Sequence, residues 1–223
     1  MKLGLFGGTF DPIHRGHFEP VKAARRALGL DRVVYLPTAL PPHKPKREFA
    51  PPHARYAMVE LALLGEEGLY ADPYELTLDR PAYTVETLQH FRRTQPAADL
   101  HLLLGADSYL ELPTWRHWRA LPELARIVVL ARPGWGVNKT LAARGQVVDP
   151  DEAAELPFEA EEAEAARELK AWLARRRALL LELNPIDVSA SEIRARLAAG
   201  QEPPPGALHP LVLDYVRKYN LYR

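Results

Sequence analysis

The hydrophobic and polar positions of the chain alternate between short apolar runs and segments with helical spacing. The apolar run at 2–6 predicts a strand, and the segment at 18–28 carries apolar residues at the spacing of an amphipathic helix. A β-branched and aromatic run at 32–36 predicts a second strand, which Pro37 ends. Strand, helix and strand within about 35 residues indicate a βαβ unit with parallel strands and a right-handed crossover.

The same alternation continues through the rest of the chain. Further helices are predicted over 53–64, 84–93, 191–197 and 210–219, and further strands over 100–104, 126–130 and 178–183. Two long segments fall outside the pattern, a proline-rich basic loop at 38–52 and an acidic, alanine-rich insertion at 149–177 that we expect to be helical. We therefore predict an α/β fold, with helices on both faces of an open, mostly parallel sheet, and a single domain over 1–223.

Composition narrows the class of function. Basic and acidic residues both number 29, so the formal net charge is zero, whereas proteins that follow a nucleic-acid backbone usually carry a basic excess. No apolar run reaches the roughly 18 residues that cross a bilayer. The chain contains no cysteine, which excludes disulfides, thiolate nucleophiles and cysteine metal sites. We expect a cytoplasmic protein that binds neither nucleic acid nor membrane.

The strongest chemical signal is the string GGTFDPIHRGH at 7–17, between the first predicted strand and its helix. Gly7 and Gly8 permit a sharp turn at the end of a strand, where α/β sheets bind nucleotide phosphates. His14 and His17 lie three residues apart at the start of the helix, so both rings can face one side and donate hydrogen bonds to a phosphate. An isolated H-x-x-H would favour a metal pair or two surface histidines, but the glycine turn before it favours the phosphate role.

A second motif, DVSASEIR, occupies 187–194. Ser189 with Glu192 three residues later is a capping box, which by itself only starts a helix. Arg194 follows in the first turn, where its guanidinium can clamp phosphate oxygens beside the backbone N–H groups of the helix start. The motif therefore predicts a helix cap, alone or combined with a phosphate site.

The first motif resembles the signature of the nucleotidyltransferase family whose hallmark is H-x-G-H, and within that family the chain is similar to bacterial nicotinate mononucleotide adenylyltransferases. The resemblance implies a Rossmann-like nucleotidyltransferase fold, with His14, His17 and Arg194 as catalytic residues. The second motif resembles the family's I-S-x-T-x-I-R element, which holds the ATP phosphates. Residues implied to bind ATP are Gly7, Gly8, Thr9, Phe10, Gly16, Ser189 and Ser191.

Two further segments resemble family elements that meet the nucleotide or the acceptor. GADS at 105–108 is similar to the family's G-x-D-S loop, which implies nucleotide contacts for Gly105 and Asp107, although an Asp here can also be a plain N-cap. PAYT at 81–84 resembles a turn whose backbone N–H groups receive a pyridine carboxylate. The resemblance implies acceptor contacts for Tyr83 and Thr84, with Thr84 as an ordinary N-cap the competing account.

Three more segments carry weaker resemblances on the acceptor side. PTW at 113–115 resembles the element that stacks an aromatic ring on nicotinate, which implies a role for Trp115, with packing in the core as the alternative. PPHK at 41–44 is similar to the family's substrate flap, which implies a contact between Lys44 and the substrate. RPG at 132–134 matches a family element that follows a strand, which implies a contact between Arg132 and the acceptor.

These resemblances imply transfer of the adenylyl group of ATP to nicotinate mononucleotide, with release of pyrophosphate. No serine lies in a nucleophile elbow, so the attacking group is expected to be the substrate's own 5′-phosphate. Mg²⁺ is expected to arrive with ATP, since no carboxylate cluster indicates a dedicated metal site. Two alternatives stay open: a transferase with a different acceptor, such as nicotinamide mononucleotide or phosphopantetheine, and a non-catalytic nucleotide sensor.

Overall fold

The computed structural model describes residues 1–39, 49–105, 108–109, 111–131, 147–148, 179–182, 186 and 188–223. The chain forms two compact units, each assembled from three segments of sequence. The first unit contains Met1–Leu5, Ala23–Asp31 and Tyr83–Pro185, and the second contains Phe6–Lys22, Arg32–Ala82 and Ile186–Arg223. That 1–223 is a single domain stays a prediction.

Strands and helices alternate along the described residues. The strands are β1 (Lys2–Gly8), β2 (Arg32–Pro37), β3 (Leu69–Ala71), β4 (Asp99–Gly105), β5 (Arg126–Ala131), β6 (Val147–Val148) and β7 (Leu179–Glu182). The α-helices are α1 (Arg15–Leu28), α2 (Pro52–Leu63), α3 (Thr84–Thr94), α4 (Leu121–Leu124), α5 (Ala190–Ala198) and α6 (Pro210–Lys218). Short 3-10 turns lie at Tyr74–Thr77, Leu112–Thr114 and Trp118–Ala120.

The strands of each unit pair mostly in parallel. In the second unit the order is β3, β2 and the end of β1, and Val33 of β2 lies opposite Leu69 of β3 in a parallel pair. In the first unit the order is the start of β1, then β4, β5, β7 and β6. Pairs β4–β5 and β5–β7 are parallel, and β6 runs antiparallel to β7. The predicted α/β class with a mostly parallel sheet is confirmed.

The buried strands explain why this sheet is parallel. In β4 the five residues of 100–104 are all buried, and in β2 the same holds from Val33 to Pro37. Strands covered on both faces form continuous apolar runs, whereas a half-exposed strand would alternate. Within the second unit, α2 packs against β2, β3 and α6. Pro51 and Pro52 start α2, because proline fits the first helical positions, whose N–H groups have no partner in the helix.

The predicted boundaries differ from the structure mainly where apolar periodicity is weak. Helix α1 begins at Arg15, three residues before the predicted start, and His17 lies inside its first turn. The amides of His17 and Phe18 donate to the carbonyl oxygen of His14 at 2.8 and 3.3 Å, which places His14 immediately before the helix. Strands β3 and β6 were not predicted, because two or three residues are too few to show periodicity.

Two predicted segments lie outside the described residues, the insertion at 149–177 and most of the basic loop at 38–52, from 40 to 48. Among the residues that the structure describes, no helix is both long enough and apolar enough to cross a membrane.

Candidate active site

The turn after β1 is built around Gly8 and Phe10. A Cβ on Gly8 would lie 2.8 Å from the Phe10 ring, closer than van der Waals contact allows, so this position requires glycine. Phe10 has a φ of 47°, and its side chain is 1% exposed. The Phe10 ring meets the His17 imidazole edge to face, with 5.3 Å between centroids. Gly8 therefore makes room for a buried ring that supports His17.

His14 and His17 form a stacked pair at the start of α1. Their ring centroids are 3.8 Å apart, with 37° between the ring planes. The backbone amide of His14 donates to Nδ1 of His17 at 3.3 Å, and the amide of Gly16 donates to Nδ1 of His14 at 3.1 Å. A backbone N–H can only donate, so Nδ1 accepts in both rings and the proton of each neutral imidazole lies on Nε2. Both Nε2 atoms are thus hydrogen-bond donors, the form that a phosphate oxygen accepts from.

Gly16 is needed between the two histidines for a steric reason. A Cβ at this position would lie 2.9 Å from Cε1 and 3.0 Å from Nδ1 of His14. The same Cβ would lie 3.4 Å from the main-chain oxygen of Val188, which belongs to the second motif. The glycine therefore lets the His14 ring and the 188 backbone approach the start of α1, and it brings the two motifs together within the second unit.

Helix α5 presents Arg194 to the first motif. Ser189 is the N-cap, and its Oγ accepts a hydrogen bond from the Glu192 amide at 3.1 Å, as the capping box predicts. Arg194 donates from Nη1 to the main-chain oxygen of Asp11 at 2.6 Å and from Nη2 to Oγ of Ser191 at 3.0 Å. The Arg194 guanidinium is thereby fixed beside the turn that carries the histidines.

Asp11 is a buried acid in the same cluster. It is 3% exposed, and its Oδ1 accepts from the Tyr222 hydroxyl at 2.7 Å and from the Ala50 amide at 3.1 Å. Its Oδ2 lies 3.9 Å from Nη1 of Arg194. Burial and the nearby Asp11 carboxylate together raise the pKa of Tyr222 well above its usual value, so the phenol stays a donor.

Arg55 of α2 ties the turn to neighbouring backbone. Its side chain is fully buried and donates to the main-chain oxygens of Ala50 at 3.0 Å, Thr9 at 2.7 Å and Ala39 at 3.0 Å. Burial lowers the pKa of Arg55, and the Asp11 carboxylate opposes that shift. The guanidinium therefore fixes Thr9 of the signature to the chain on either side of residues 40–48.

The first unit holds Tyr83, Thr84 and Trp115, which are among the residues predicted to meet the acceptor. Tyr83 is the N-cap of α3, and Thr84 is the first residue of the helix, so the alternative account of Thr84 as N-cap is wrong. The Tyr83 carbonyl accepts from the amides of Glu86 and Thr87 at 2.9 and 3.1 Å, which is how an extended residue begins a helix. The Arg116 guanidinium lies 4.7 Å from the centroid of the Tyr83 ring.

Trp115 follows a 3-10 turn in the first unit and is half-buried. Its indole Nε1 is buried and has no hydrogen-bond acceptor among the described residues. Buried donors of this kind are usually paired. Whether Trp115 contacts a ligand or serves only the core stays a prediction.

The chain is similar to known proteins over nearly its full length. Residues 5–196 match the family model described as cytidylyltransferase-like. A relative from Aeromonas salmonicida (strain A449), named "Probable nicotinate-nucleotide adenylyltransferase", is 41% identical over 99% of this chain and 97% of the relative. A relative of the same name from Chromobacterium violaceum is 38% identical over 100% of this chain and 99% of its own. The chain belongs to the nicotinate-nucleotide adenylyltransferase family.

A solved structure confirms the fold of this adenylyltransferase family member. The Plasmodium falciparum nicotinic acid mononucleotide adenylyltransferase complexed with NaAD superposes with a TM-score of 0.68, covering 99% of this chain and 97% of that chain. The two sequences are only 16% identical, so this likeness establishes the shared Rossmann-like nucleotidyltransferase fold and no residue role.

The predicted site residues of this adenylyltransferase family member fall into three groups. The second unit brings together the two motifs: Gly7, Gly8, Thr9, Phe10, His14, Gly16, His17, Ser189, Ser191 and Arg194. The first unit holds Tyr83, Thr84, Trp115 and Gly105, which ends β4 opposite Leu130. Lys44, Asp107 and Arg132 lie outside the described residues, so their roles stay predictions.

Three residues of the cluster were not predicted from sequence. Arg55 did leave a signal, since it shares the buried face of α2 with Met58 and Val59, where a charged residue is unusual. Asp11 lies inside the signature, but nothing in the string distinguishes a buried acid from a turn residue. Tyr222 carries no local pattern, because its contact with Asp11 spans 211 positions of sequence.

Proposed function

We propose that the protein transfers the adenylyl group of ATP to nicotinate mononucleotide and releases pyrophosphate. The observation that carries the proposal is the stacked pair of His14 and His17, whose Nδ1 atoms both accept backbone N–H groups. This arrangement gives two Nε2–H donors at the end of a strand, beside the Arg194 guanidinium held by Asp11. The names of the full-length relatives support the same reaction.

In the proposed reaction a 5′-phosphate oxygen of the acceptor attacks the α-phosphorus of ATP. The bond between the α-phosphorus and the oxygen bridging to the β-phosphate breaks, and pyrophosphate leaves with that electron pair. His14, His17 and Arg194 are the proposed catalytic residues, and each donates hydrogen bonds to the oxygens on which charge develops. No covalent enzyme intermediate is needed, so the protein acts by alignment and by neutralising charge.

The ATP is proposed to lie against the two motifs of the second unit. Gly7, Gly8, Thr9, Phe10 and Gly16 provide backbone at the end of β1, and Ser189 and Ser191 flank the start of α5. Helix starts and glycine turns suit phosphates because their N–H groups point outward. Gly105 and Asp107 are proposed to contribute further nucleotide contacts.

Mg²⁺ is proposed to enter with ATP. Among the described residues, no group of three or more His, Cys, Asp or Glu side chains is arranged to hold a metal ion. Nδ1 of both histidines already accepts a backbone N–H, and Mg²⁺ prefers oxygen ligands. The triphosphate oxygens would therefore hold the ion, which neutralises phosphate charge when bound. His14, His17 and Arg194 would contact the same phosphates.

Recognition of the acceptor is proposed for the residues of the first unit. The backbone N–H groups at the start of α3, near Tyr83 and Thr84, suit both oxygens of a pyridine carboxylate. A carboxamide would replace one of these oxygens by an NH₂ group, which would face a backbone N–H with no acceptor between them. An unpaired donor of this kind costs roughly 1–3 kcal/mol. The half-buried Trp115 is proposed to offer a ring for the nicotinate to stack on. Lys44 and Arg132 are proposed to add positive charge for the phosphate.

Pyrophosphate release with three acceptors tests the proposal. Nicotinate mononucleotide should support turnover with a kcat/KM about tenfold to a few hundredfold above that of nicotinamide mononucleotide, and phosphopantetheine should support none. Equal efficiencies for the acid and the amide would contradict carboxylate recognition. Binding of ATP without pyrophosphate release from any acceptor would favour a nucleotide sensor instead.

We also propose a cytoplasmic location, because ATP is available there and a chain without cysteine needs no oxidising compartment. We propose no nucleic-acid partner, because the chain carries no basic excess. Fractionation of cells that express the protein, followed by immunoblotting, checks the location. Recovery in the membrane fraction would contradict it.

A further inference from the structure

Tyr222 lies at the end of a chain of contacts that leads to the proposed catalytic arginine. Its hydroxyl donates to Oδ1 of Asp11 at 2.7 Å. The main-chain oxygen of Asp11 in turn accepts a hydrogen bond from Nη1 of Arg194 at 2.6 Å. All three residues belong to the second unit. The hydroxyl is therefore two contacts away from the guanidinium that we assign to charge stabilisation.

The two oxygens of the Asp11 carboxylate have different neighbours. Oδ1 accepts from the Tyr222 hydroxyl and from the Ala50 amide at 3.1 Å, and Oδ2 faces Nη1 of Arg194 at 3.9 Å. Two donors on Oδ1 set the rotation of the carboxylate, and that rotation directs Oδ2 toward the arginine. The Tyr222 hydroxyl lies closer to Oδ1 than the Ala50 amide does, so removing the hydroxyl weakens the hold on the buried carboxylate.

The backbone around Tyr222 is itself unusual. Helix α6 ends at Lys218, and the Leu221 amide donates to the Val216 carbonyl at 3.0 Å, which turns the chain back. Tyr222 then has a φ of 67°, in the left-handed region that a residue with a Cβ rarely adopts. Strained backbone persists only where the surroundings hold it, and such positions cluster at functional sites. Here the strain accompanies the contact with Asp11.

We propose that Tyr222 is a positioning residue for the reaction. Its hydroxyl fixes Asp11, whose main-chain oxygen accepts a hydrogen bond from Arg194 and whose carboxylate faces the same guanidinium. Asp11 thereby holds the guanidinium in the orientation that stabilises the departing pyrophosphate. This rests on the proposed function, because it requires Arg194 to act on the triphosphate. Tyr222 itself touches no reacting atom.

Replacing Tyr222 by phenylalanine removes only the hydroxyl. We expect Tyr222→Phe to lower kcat by at least about tenfold while the KM for the acceptor changes by less than about twofold, since the substitution alters none of the residues proposed to bind the acceptor. The matched control is Tyr219→Phe, three residues earlier, whose side chain is 55% exposed and stacks on Tyr215. The control should keep the wild-type kcat.

A double-mutant cycle distinguishes positioning from general destabilisation. In an Arg194→Ala background, Tyr222→Phe should change kcat by less than about twofold, because the guanidinium that it positions is gone. If the two changes multiply independently, or if Tyr222→Phe alone keeps the wild-type kcat, the proposal is overturned. Circular dichroism and melting temperatures show whether each variant is folded.

A second variant covers the case in which Tyr222→Phe does not fold. Asp11→Asn keeps an acceptor for the Tyr222 hydroxyl but removes the charge that faces Arg194. It should lower kcat and likewise lose its effect in the Arg194→Ala background, and an undiminished effect there overturns the proposal. Absence of pyrophosphate release from the wild-type protein would instead refute the proposed function, so the two failures are distinguishable.

Discussion

The backbone amide of Gly16 donates a hydrogen bond to Nδ1 of His14, with 3.1 Å between the nitrogens. Because the amide can only donate, this bond places the proton of the neutral His14 ring on Nε2, and the amide of His14 does the same for His17. A proton on either Nδ1 would point at the backbone N–H that now donates to that nitrogen, and the hydrogen bond would be lost. The H-x-G-H spacing therefore fixes the tautomer of both rings, and nuclear magnetic resonance of histidine-labelled protein should show protonated Nε2 in each.

The role of the histidine pair predicts the effect of removing either ring. His17→Ala should lower turnover by at least about a hundredfold, because one preorganised donor is worth on the order of 3 kcal/mol in a transition state. His14→Ala should behave similarly. The measurement is kcat for pyrophosphate release, with circular dichroism to show folding and the exposed His53→Ala as a control. Near-normal turnover in a folded His14 or His17 variant would refute the charge-stabilising role.

The space around Gly16 predicts that even a methyl group is harmful there. In Gly16→Ala the new Cβ would meet the His14 ring at 2.9 Å, so the ring must shift and its bond to the residue 16 amide must weaken. We expect kcat to fall about tenfold or more, with a helical fold retained. Gly7→Ala is the steric comparison, since a Cβ there meets no atom within 4 Å, and it should lower the melting temperature less. Equal melting temperatures in the two variants would contradict this steric account.

Much of the fold could be predicted because the strands are fully buried. The predicted strands at 32–36 and 126–130 each consist of an arginine followed by four consecutive apolar residues, and both appear as strands with ends within one residue of the prediction. The start of α1 was predicted too late because Gly16 and His17 break the apolar period. The helix begins at Arg15, where the His14 carbonyl accepts the first amides of the helix. The local sequence pattern therefore predicts which residues are buried better than it predicts where main-chain hydrogen bonds begin a helix.

The candidate site was predictable where its chemistry is local in sequence. His14, Gly16 and His17 act through contacts within three residues, which a motif can record. Asp11 and Tyr222 act through a bond that joins positions 211 residues apart, and no local pattern signals it. Long-range contacts of this kind depend on the assembled fold, so they became visible only in the structure.

Arg55 predicts a large loss of stability on removal of a single side chain. Its guanidinium donates to three main-chain carbonyls, of which that of Ala50 is buried and the other two are part-buried, and Arg55→Met would remove all three donors. At roughly 1–3 kcal/mol for the buried acceptor, with a smaller loss for the two part-buried ones, the free energy of unfolding should fall by at least about 2 kcal/mol. Arg196→Met is the matched control, because Arg196 is an exposed partner of Glu192, and it should cost less than about 1 kcal/mol. Urea denaturation measures both, and similar losses would contradict this account.

The proposed origin of Mg²⁺ predicts a separation of activity from stability. Chelation with EDTA should abolish pyrophosphate release, because the ion neutralises the triphosphate, and it should barely move the melting temperature of the nucleotide-free protein. Added Mg²⁺ should restore the activity. A large fall in melting temperature would indicate a metal held by the folded protein itself.

His101 predicts how stability depends on pH. It lies in β4 at 2% exposure, and its Nδ1 is 3.0 Å from the Asp99 main-chain oxygen, to which it can only donate. Burial lowers the pKa of His101, and the Asp99 carbonyl and carboxylate oppose that shift only in part.

Because its folded pKa is lowered, His101 binds a proton more readily in the unfolded chain, where the value is about 6.5. Its contribution to stability is therefore complete above about pH 6.5 and is lost as the pH falls below that value. The melting temperature should decline between about pH 7 and pH 5, and His101→Gln should show a shallower decline because the titrating ring is gone. His53→Gln, which replaces an exposed histidine of α2, should keep the wild-type slope. Parallel slopes for all three proteins would show that His101 does not carry this pH dependence.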